Sequence, residues 1–288
     1  MAQSFEATQT GALAQLNPTR RRVLVTGAAG NIGSYFAEHT HRKYDLVLLD
    51  RDAGDLEAVA GFGRTVVCDL SDLDGLKAAC QGADTVVHLA GNPSPEATWS
   101  SLVEINISGT YHAFVAAKAA GCRRVIFASS IHAVSGYPKD VQVKTSEPVN
   151  PGDLYGVSKC FGEALGRYMA AQEGLSVIAL RIGAFQPLET ARKPELSMMD
   201  GYVSQRDLLQ LMERSIDAEN VRFAILHGLS NNRFKRLDIS DARELVGYDP
   251  QDDFTQLNPL LRDLELSERV SSNSAMQDEG RSGLREEL

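Results

Sequence analysis

The chain has little that would mark it for a metal centre, a membrane or a nucleic acid. Its four cysteines, Cys68, Cys80, Cys122 and Cys160, are scattered, with no Cys-x-x-Cys pair and no histidine at metal-ligand spacing. They read as reduced, mostly structural thiols. The six histidines, His39, His41, His88, His112, His132 and His227, form no His-Glu-x-x-His or comparable cluster, so no protein-bound metal is expected. No apolar run approaches the roughly 18 to 20 residues needed to span a bilayer. The start, Met1-Ala-Gln-Ser-Phe-Glu6, lacks the basic and apolar regions of a secretory leader. Positive charge is also short. The formal net charge of -9 argues against nucleic acid, and the densest basic run, Arg20-Arg-Arg22, abuts a strand and reads as a solvated flank. These absences point to a cytoplasmic protein with a small-molecule partner, and to no nucleic acid and no membrane.

What is present is enough apolar residue for one large α/β core or two modest domains: 43% of 288 residues. Short apolar runs at Val23–Val25, Leu46–Leu49, Thr65–Val67, Thr85–Leu89, Val125–Phe127 and Val177–Leu180 alternate with amphipathic helical stretches. The runs carry almost no polar alternation, as expected of strands covered on both faces, and the rhythm predicts a doubly wound parallel sheet. His88 falls inside one such run and reads as a core histidine. After Gly183 the pattern changes to a Pro-, Met- and charge-rich stretch. A helix from Gln205 to about Ala218 and a strand-like Phe223–Leu226 follow. The division expected is a mobile tail over 1–21, a dinucleotide-binding domain over 22–185, a small interleaved substrate-capping lobe over 186–266 with elements returning to the sheet, and a second mobile tail over 267–288.

The first strand runs directly into Thr26-Gly-Ala-Ala-Gly-Asn-Ile-Gly33, and a helix continues from Ser34. Strand, glycine turn and helix in that order are the context of a Rossmann dinucleotide seat. Gly27 permits the tight turn, Gly30 lets backbone approach a pyrophosphate, and Gly33 allows close helix-strand packing. The N–H groups at the helix start, with Asn31 and Ile32, complete an anion site. Asp50 ends the second strand, where a carboxylate accepts from adenosine ribose hydroxyls. A 2'-phosphate beside it would meet a like charge worth about 4 kcal/mol at ~4 Å and an effective dielectric near 20, which favours NAD over NADP. Arg51 adjoins it and offers a 2'-phosphate a partner. Asp69 and Leu70 after the third strand, and Leu89, Ala90 and Gly91 after the fourth, fall where such a sheet lines the adenine and ribose.

The fifth strand ends in Phe127-Ala-Ser-Ser-Ile-His132, so hydroxyls emerge at the carboxyl edge of the sheet. Tyr155-Gly-Val-Ser-Lys159 follows, with Tyr155 and Lys159 one helical turn apart on one face. With the glycine loop, this set resembles the extended short-chain dehydrogenase/reductase family over residues 23 to 185. Ser129-Ser-Ile-His132, Gly136-Tyr-Pro138, Leu154–Glu163 and Arg181-Ile-Gly183 are similar to bacterial uronate dehydrogenases, which oxidise the anomeric hydroxyl of galacturonate or glucuronate to an aldarolactone with NAD. The resemblance implies Tyr155 as the base that takes the hydroxyl proton, and Lys159 as holder of the ribose and stabiliser of the phenolate. It implies Ser130, or by a one-residue shift Ser129, as donor to the reacting oxygen, and Asn106 as the asparagine near the lysine. Bringing a tyrosine from its ordinary pKa near 10 to use near pH 7 takes about 4 kcal/mol, which the lysine and oxidised nicotinamide charges can supply.

On the substrate side the resemblance places His132 against the sugar, and Arg192 and Lys193 where a cation would meet a uronate carboxylate. Two departures stand beside it. Asn92-Pro93 replaces a substrate-contacting serine, and Ala184-Phe185 stands where Ser-Cys is expected. Alternatives are an aldose or sugar-phosphate 1-dehydrogenase, then a sugar-nucleotide epimerase, then a non-catalytic NAD-binding regulator. The resemblance further implies a homodimer or higher homo-oligomer.

Overall fold

The computed structural model describes residues 20–264, so the expected tails fall outside the described residues apart from Arg20 and Arg21. The first half contains β1 (Arg22–Thr26), α1 (Asn31–Thr40), β2 (Asp45–Asp50), α2 (Ala53–Leu56), β3 (Arg64–Val67), α3 (Leu73–Cys80) and β4 (Thr85–His88). Next, α4 (Trp99–Ser101) continues through a π-helical turn, Leu102–Ser108, into α5 (Gly109–Ala119) and β5 (Arg124–Ser130). A 3-10 turn (Ile131–Val134) leads towards α6 (Leu154–Gln172) and β6 (Ser176–Ile182). The remainder holds β7 (Ala184–Gln186), α7 (Leu188–Ala191), β8 (Tyr202–Ser204), α8 (Gln205–Asp217), β9 (Phe223–Gly228), α9 (Ser240–Val246), α10 (Phe254–Leu257) and α11 (Pro259–Arg262).

Seven strands form one parallel sheet in the order β3-β2-β1-β4-β5-β6-β9. Successive side chains leave a strand on opposite faces, and here both faces are covered. Val23 and Val25 join Phe36, Leu46, Leu48 and Leu208 on one side, while Leu24 joins Val47, Val86, Phe114 and Phe127 on the other. That is why the strands read as unbroken apolar runs. The exception is β3, at the edge, where Val67 is 58% exposed; a short edge strand carrying Arg64 is poorly suited to pairing with another chain.

Much of the segment after residue 185 returns to the sheet. The buried stripe Leu208, Leu211, Met212 and Ile216 of α8 recurs at helical spacing and packs on the face shared with α1. β9 extends the ladder, pairing Val177 to Ile182 with Phe223 to Gly228. The parts standing off the sheet are the β7–β8 pair, α7 and the chain around α10 and α11, held by a small cluster of Ala191, Tyr202, Phe254 and Leu261. The order reversal at β1 and β4 opens a crevice at the carboxyl ends of the strands, and the site lies there.

Candidate active site

The glycine loop lies at that crevice and is built tightly. Gly27 has φ +69°, and a Cβ on it would stand 2.7 Å from Ala90 N. A Cβ on Gly33 would stand 2.3 Å from Gly27 O, so only glycine lets α1 sit against the turn. No side chain caps the start of α1 and its first turn holds no acid, which leaves backbone N–H groups for an anion. The loop opens on a cleft of about 750 Å³, whose lining includes Gly27, Gly30, Asn31, Ile32, Gly33, Asp50, Asp69, Leu70, Leu89, Ala90 and Gly91. All eleven residues expected at the seat from sequence, apart from the Tyr155–Lys159 pair, are therefore brought to one cleft.

Asp50 does two things there: its Oδ2 accepts from Ala29 N at 3.1 Å and its Oδ1 from Arg51 N at 2.8 Å, which ties the end of β2 to the glycine loop. Asp69 accepts from the Ser71 backbone and hydroxyl, and these bonds hold its carboxyl below the usual range. Cleft size, glycine cradle, uncapped helix start and a carboxylate at the end of β2 together fit NAD.

A second cavity of about 290 Å³ shares Ile32, Leu89, Gly91, Pro93, Ala128 and Phe185 with the cleft. Its lining also includes Ser130, His132, Tyr155 and Lys159. β5 delivers Ser130 at its last residue; α6 delivers Tyr155 and Lys159 from its first two turns. The Lys159 ammonium donates to Ala128 O at 2.9 Å and stands 5.5 Å from the Tyr155 ring centre. Burial brings Lys159 down to about 8. Burial raises the Tyr155 phenol, a hydrogen bond with Ser130 pulls it back, and the Asp153 charge adds to the rise. Of the two candidate hydroxyls, Ser129 is spent in donating to Glu163 Oε1 at 2.6 Å, which leaves Ser130 beside the phenol.

Asn106 is 2% exposed and sits in the π-helical turn. Its amide donates to Asn92 O and Ser158 Oγ, both at 3.0 Å, and its oxygen accepts from Asn92 N at 2.7 Å. Single π-turns of this kind recur at functional sites; here the turn points a carboxamide at the loop after β4 and at the helix of Tyr155. A Cβ on Gly91 would lie 3.4 Å from Asn106 Oδ1 and 3.5 Å from Lys159 Nζ, so Gly91 separates the two.

Arg192 and Lys193 are exposed after α7, and neither belongs to the lining of either cavity. Pro93, Ala184 and Phe185, the replacements noted in the sequence, do line the catalytic cavity. His88 is a satisfied core histidine, between Thr26 Oγ1 at 2.7 Å and Thr110 Oγ1 at 3.2 Å, and burial pushes it down to about 3. Two positions had a readable signal that the sequence reading passed over. Asp153 stands at the N-cap of the Tyr155 helix, and Glu163 follows Lys159 at the same four-residue spacing that joins Lys159 to Tyr155.

Residues 23–186 match the NAD dependent epimerase/dehydratase family, more than half of the chain. The chain belongs to that family. Among family members, the NAD-dependent glucose-6-phosphate dehydrogenase of Haloferax volcanii is 36% identical over 245 residues, covering 80% of this chain and 93% of the relative. L-arabinose 1-dehydrogenase (NAD(P)(+)) of the same organism is 36% identical over 252 residues, with 80% and 96% covered. The crystal structure of uronate dehydrogenase from Agrobacterium tumefaciens superposes with a TM-score of 0.73 at 31% identity, covering 90% of this chain and 94% of that one. Among the described residues no helix is long and apolar enough to cross a membrane, and no group of His, Cys, Asp or Glu could hold a metal ion.

Proposed function

We propose that the protein is an NAD-dependent dehydrogenase that oxidises the anomeric hydroxyl of a sugar to the lactone, with Tyr155 as the base. The observation that carries this reading is one cavity with Ser130, Tyr155 and Lys159 in its lining, opening onto the glycine-loop cleft through a common wall. NAD, when bound, supplies the hydride acceptor. The protein's own groups do the rest. Ser130 donates to the reacting oxygen, Tyr155 takes its proton, and the Lys159 charge favours the phenolate that must form first. The apolar wall of Ile32, Leu89, Pro93 and Phe185 keeps water from competing and strengthens those interactions. Lys159 and the ends of Asp50 and Asp69 hold the two ribose units. The Asn106 hydrogen bonds fix the loop on which Gly91 sits, and so the approach of Lys159.

One observation favours one of two sugar classes. A uronate carboxylate needs a cation or a cluster of donors; among the described residues Lys159 is the only lysine or arginine in the lining of the catalytic cavity, and Arg192 and Lys193 lie outside it. A neutral aldose, the class named for the L-arabinose relative, fits this wall as it stands. A uronate, the class named for the Agrobacterium structure, fits once Arg192 is carried inward with α7. The deciding experiment follows NADH appearance with L-arabinose, glucose, galacturonate, glucuronate and glucose 6-phosphate. We expect turnover on a neutral aldose that falls at least ~1000-fold in Tyr155→Phe, the usual scale for losing an acid-base group and its network. Turnover confined to uronates and weakened by Arg192→Ala would replace the neutral sugar. NAD binding with no NADH released from any sugar would end the dehydrogenase reading.

A further inference from the structure

One carboxylate joins the loop after β5 to the start of α6. Asp153 caps that helix, its Oδ1 accepting from Gly156 N at 2.6 Å, while its Oδ2 lies 2.6 Å from His132 Nδ1. The junction is close-packed: a Cβ on Gly156 would stand 2.3 Å from His132 O, and Asn150 N donates to Ala133 O at 2.9 Å. The His132 ring meets the Tyr155 ring edge to face, centroids 5.4 Å apart, and lines the catalytic cavity.

An ionised carboxylate can only accept, so the proton between the two groups belongs to His132 Nδ1. In the neutral ring Nε2 is then an acceptor with no proton. No protein group among the described residues hydrogen-bonds it. The other polar side chains of this wall are Ser129, whose hydroxyl donates to Glu163, and Ser130, Tyr155 and Lys159, which are committed to the reacting end. We propose that Asp153 is a positioning residue that holds His132 in the Nδ1–H tautomer, so that Nε2 accepts a hydrogen bond from a second hydroxyl of the sugar. The inference rests on the dehydrogenase reading above and adds to it a residue that selects polyhydroxylated substrates. A site built to hydrogen-bond a hydroxyl rejects an analogue lacking it.

Asp153→Asn is nearly isosteric and separates the two duties of the carboxylate. The amide oxygen keeps the cap on Gly156, while the amide nitrogen, a donor, faces Nδ1 and drives the ring proton to Nε2. Nitrogen-15 NMR of labelled histidine should show His132 protonated at Nδ1 in the parent and at Nε2 in the variant. The kcat/KM for the sugar should fall by about 10- to 100-fold, because the sugar hydroxyl must give up donating to Nε2 and turn to accept from Nε2–H at the expense of its other contacts. Affinity for NAD should stay within about two-fold, since no cleft contact changes. His132→Ala should cause a similar fall, and adding Asp153→Asn to it should cost nothing further. If Asp153→Asn folds poorly, Asp153→Ser retains a cap but cannot reach the ring, and should lower kcat/KM alike. A parent ring protonated at Nε2 overturns the proposal whether or not any sugar is turned over, which keeps its failure distinct from that of the dehydrogenase reading. Turnover within about two-fold of the parent, or losses that multiply in the double variant, overturns it as well.

Discussion

Glu163 is four residues beyond Lys159 and only 3% exposed, and what it holds suggests a demanding test. Its Oε1 accepts from Ser129 Oγ at 2.6 Å and from Arg181 Nε at 2.8 Å, and its Oε2 from Arg181 Nη2 at 2.8 Å. Arg181 is 1% exposed and its Nη1 has no hydrogen-bond partner among the described residues. Its neighbour across the ladder, His227, is held down to about 4 mainly by burial and offers no negative charge. Glu163→Ala therefore leaves a guanidinium buried without its carboxylate, a change worth about 3 to 5 kcal/mol. The Ser129 hydroxyl loses its acceptor in the same step, so about 4 kcal/mol overall is a fair centre of the range. At ~2 to 4 °C per kcal/mol for a domain of this size, the thermal midpoint should drop by about 8 to 16 °C, read by circular dichroism. Adding Arg181→Met removes the stranded charge, and apolar replacement of a whole buried pair is often neutral, so the double variant should recover at least about half of the loss. A single variant melting within about 3 °C of the parent would refute the reasoning. So would a double variant as unstable as the single one, because the cost would then not be the uncompensated charge.

Lys159 makes the opposite case, a group kept at the expense of stability. Burial brings it from the ordinary 10.5 to about 8, so between those values the unfolded chain binds the extra proton and the folded one does not. Stability from this group therefore rises with pH across that interval, and the penalty is fully present below pH 8. Lys159→Met should add about 3 kcal/mol of stability at pH 7 and raise the midpoint accordingly, with the gain shrinking from about pH 8 to 10.5, while sugar oxidation is lost. A lower midpoint at pH 7 would count against it. Asp50→Asn keeps an oxygen for Ala29 N but removes the charge that a 2'-phosphate would meet, with Arg51 beside it. The ratio of kcat/KM for NADP over NAD should rise by at least about 10-fold, and an unchanged ratio would show that Asp50 does not set the choice.

The parts of the fold that could be read from the chain are those in which one residue's environment repeats along an element. Leu46–Leu49 reads as a buried strand because each of its side chains meets a covered face, and the observed strand exceeds the apolar run by one residue at either end. Tyr155 and Lys159 could be joined because a helix returns to the same face every four residues, and Ser130 because a strand delivers its last residue to the sheet edge. No such periodicity relates Ser129 to Glu163, 34 residues away, or His132 to Asp153, 21 away. Nor could the direction of Arg192 be read, since it follows a helix of only four residues, which sets no long face. Pro93, His132, Ala184 and Phe185, which line the smaller cavity, lie in a loop, a 3-10 turn and a three-residue strand. The residues proposed for the reaction thus sit on long elements whose spacing is visible in the chain, whereas those proposed to meet the sugar sit on short connections whose geometry depends on distant partners. Relatives at the same 36% identity are named for glucose 6-phosphate and for L-arabinose, so the motifs they share with this chain do not choose between such sugars, and the choice has to be read from the wall of the cavity.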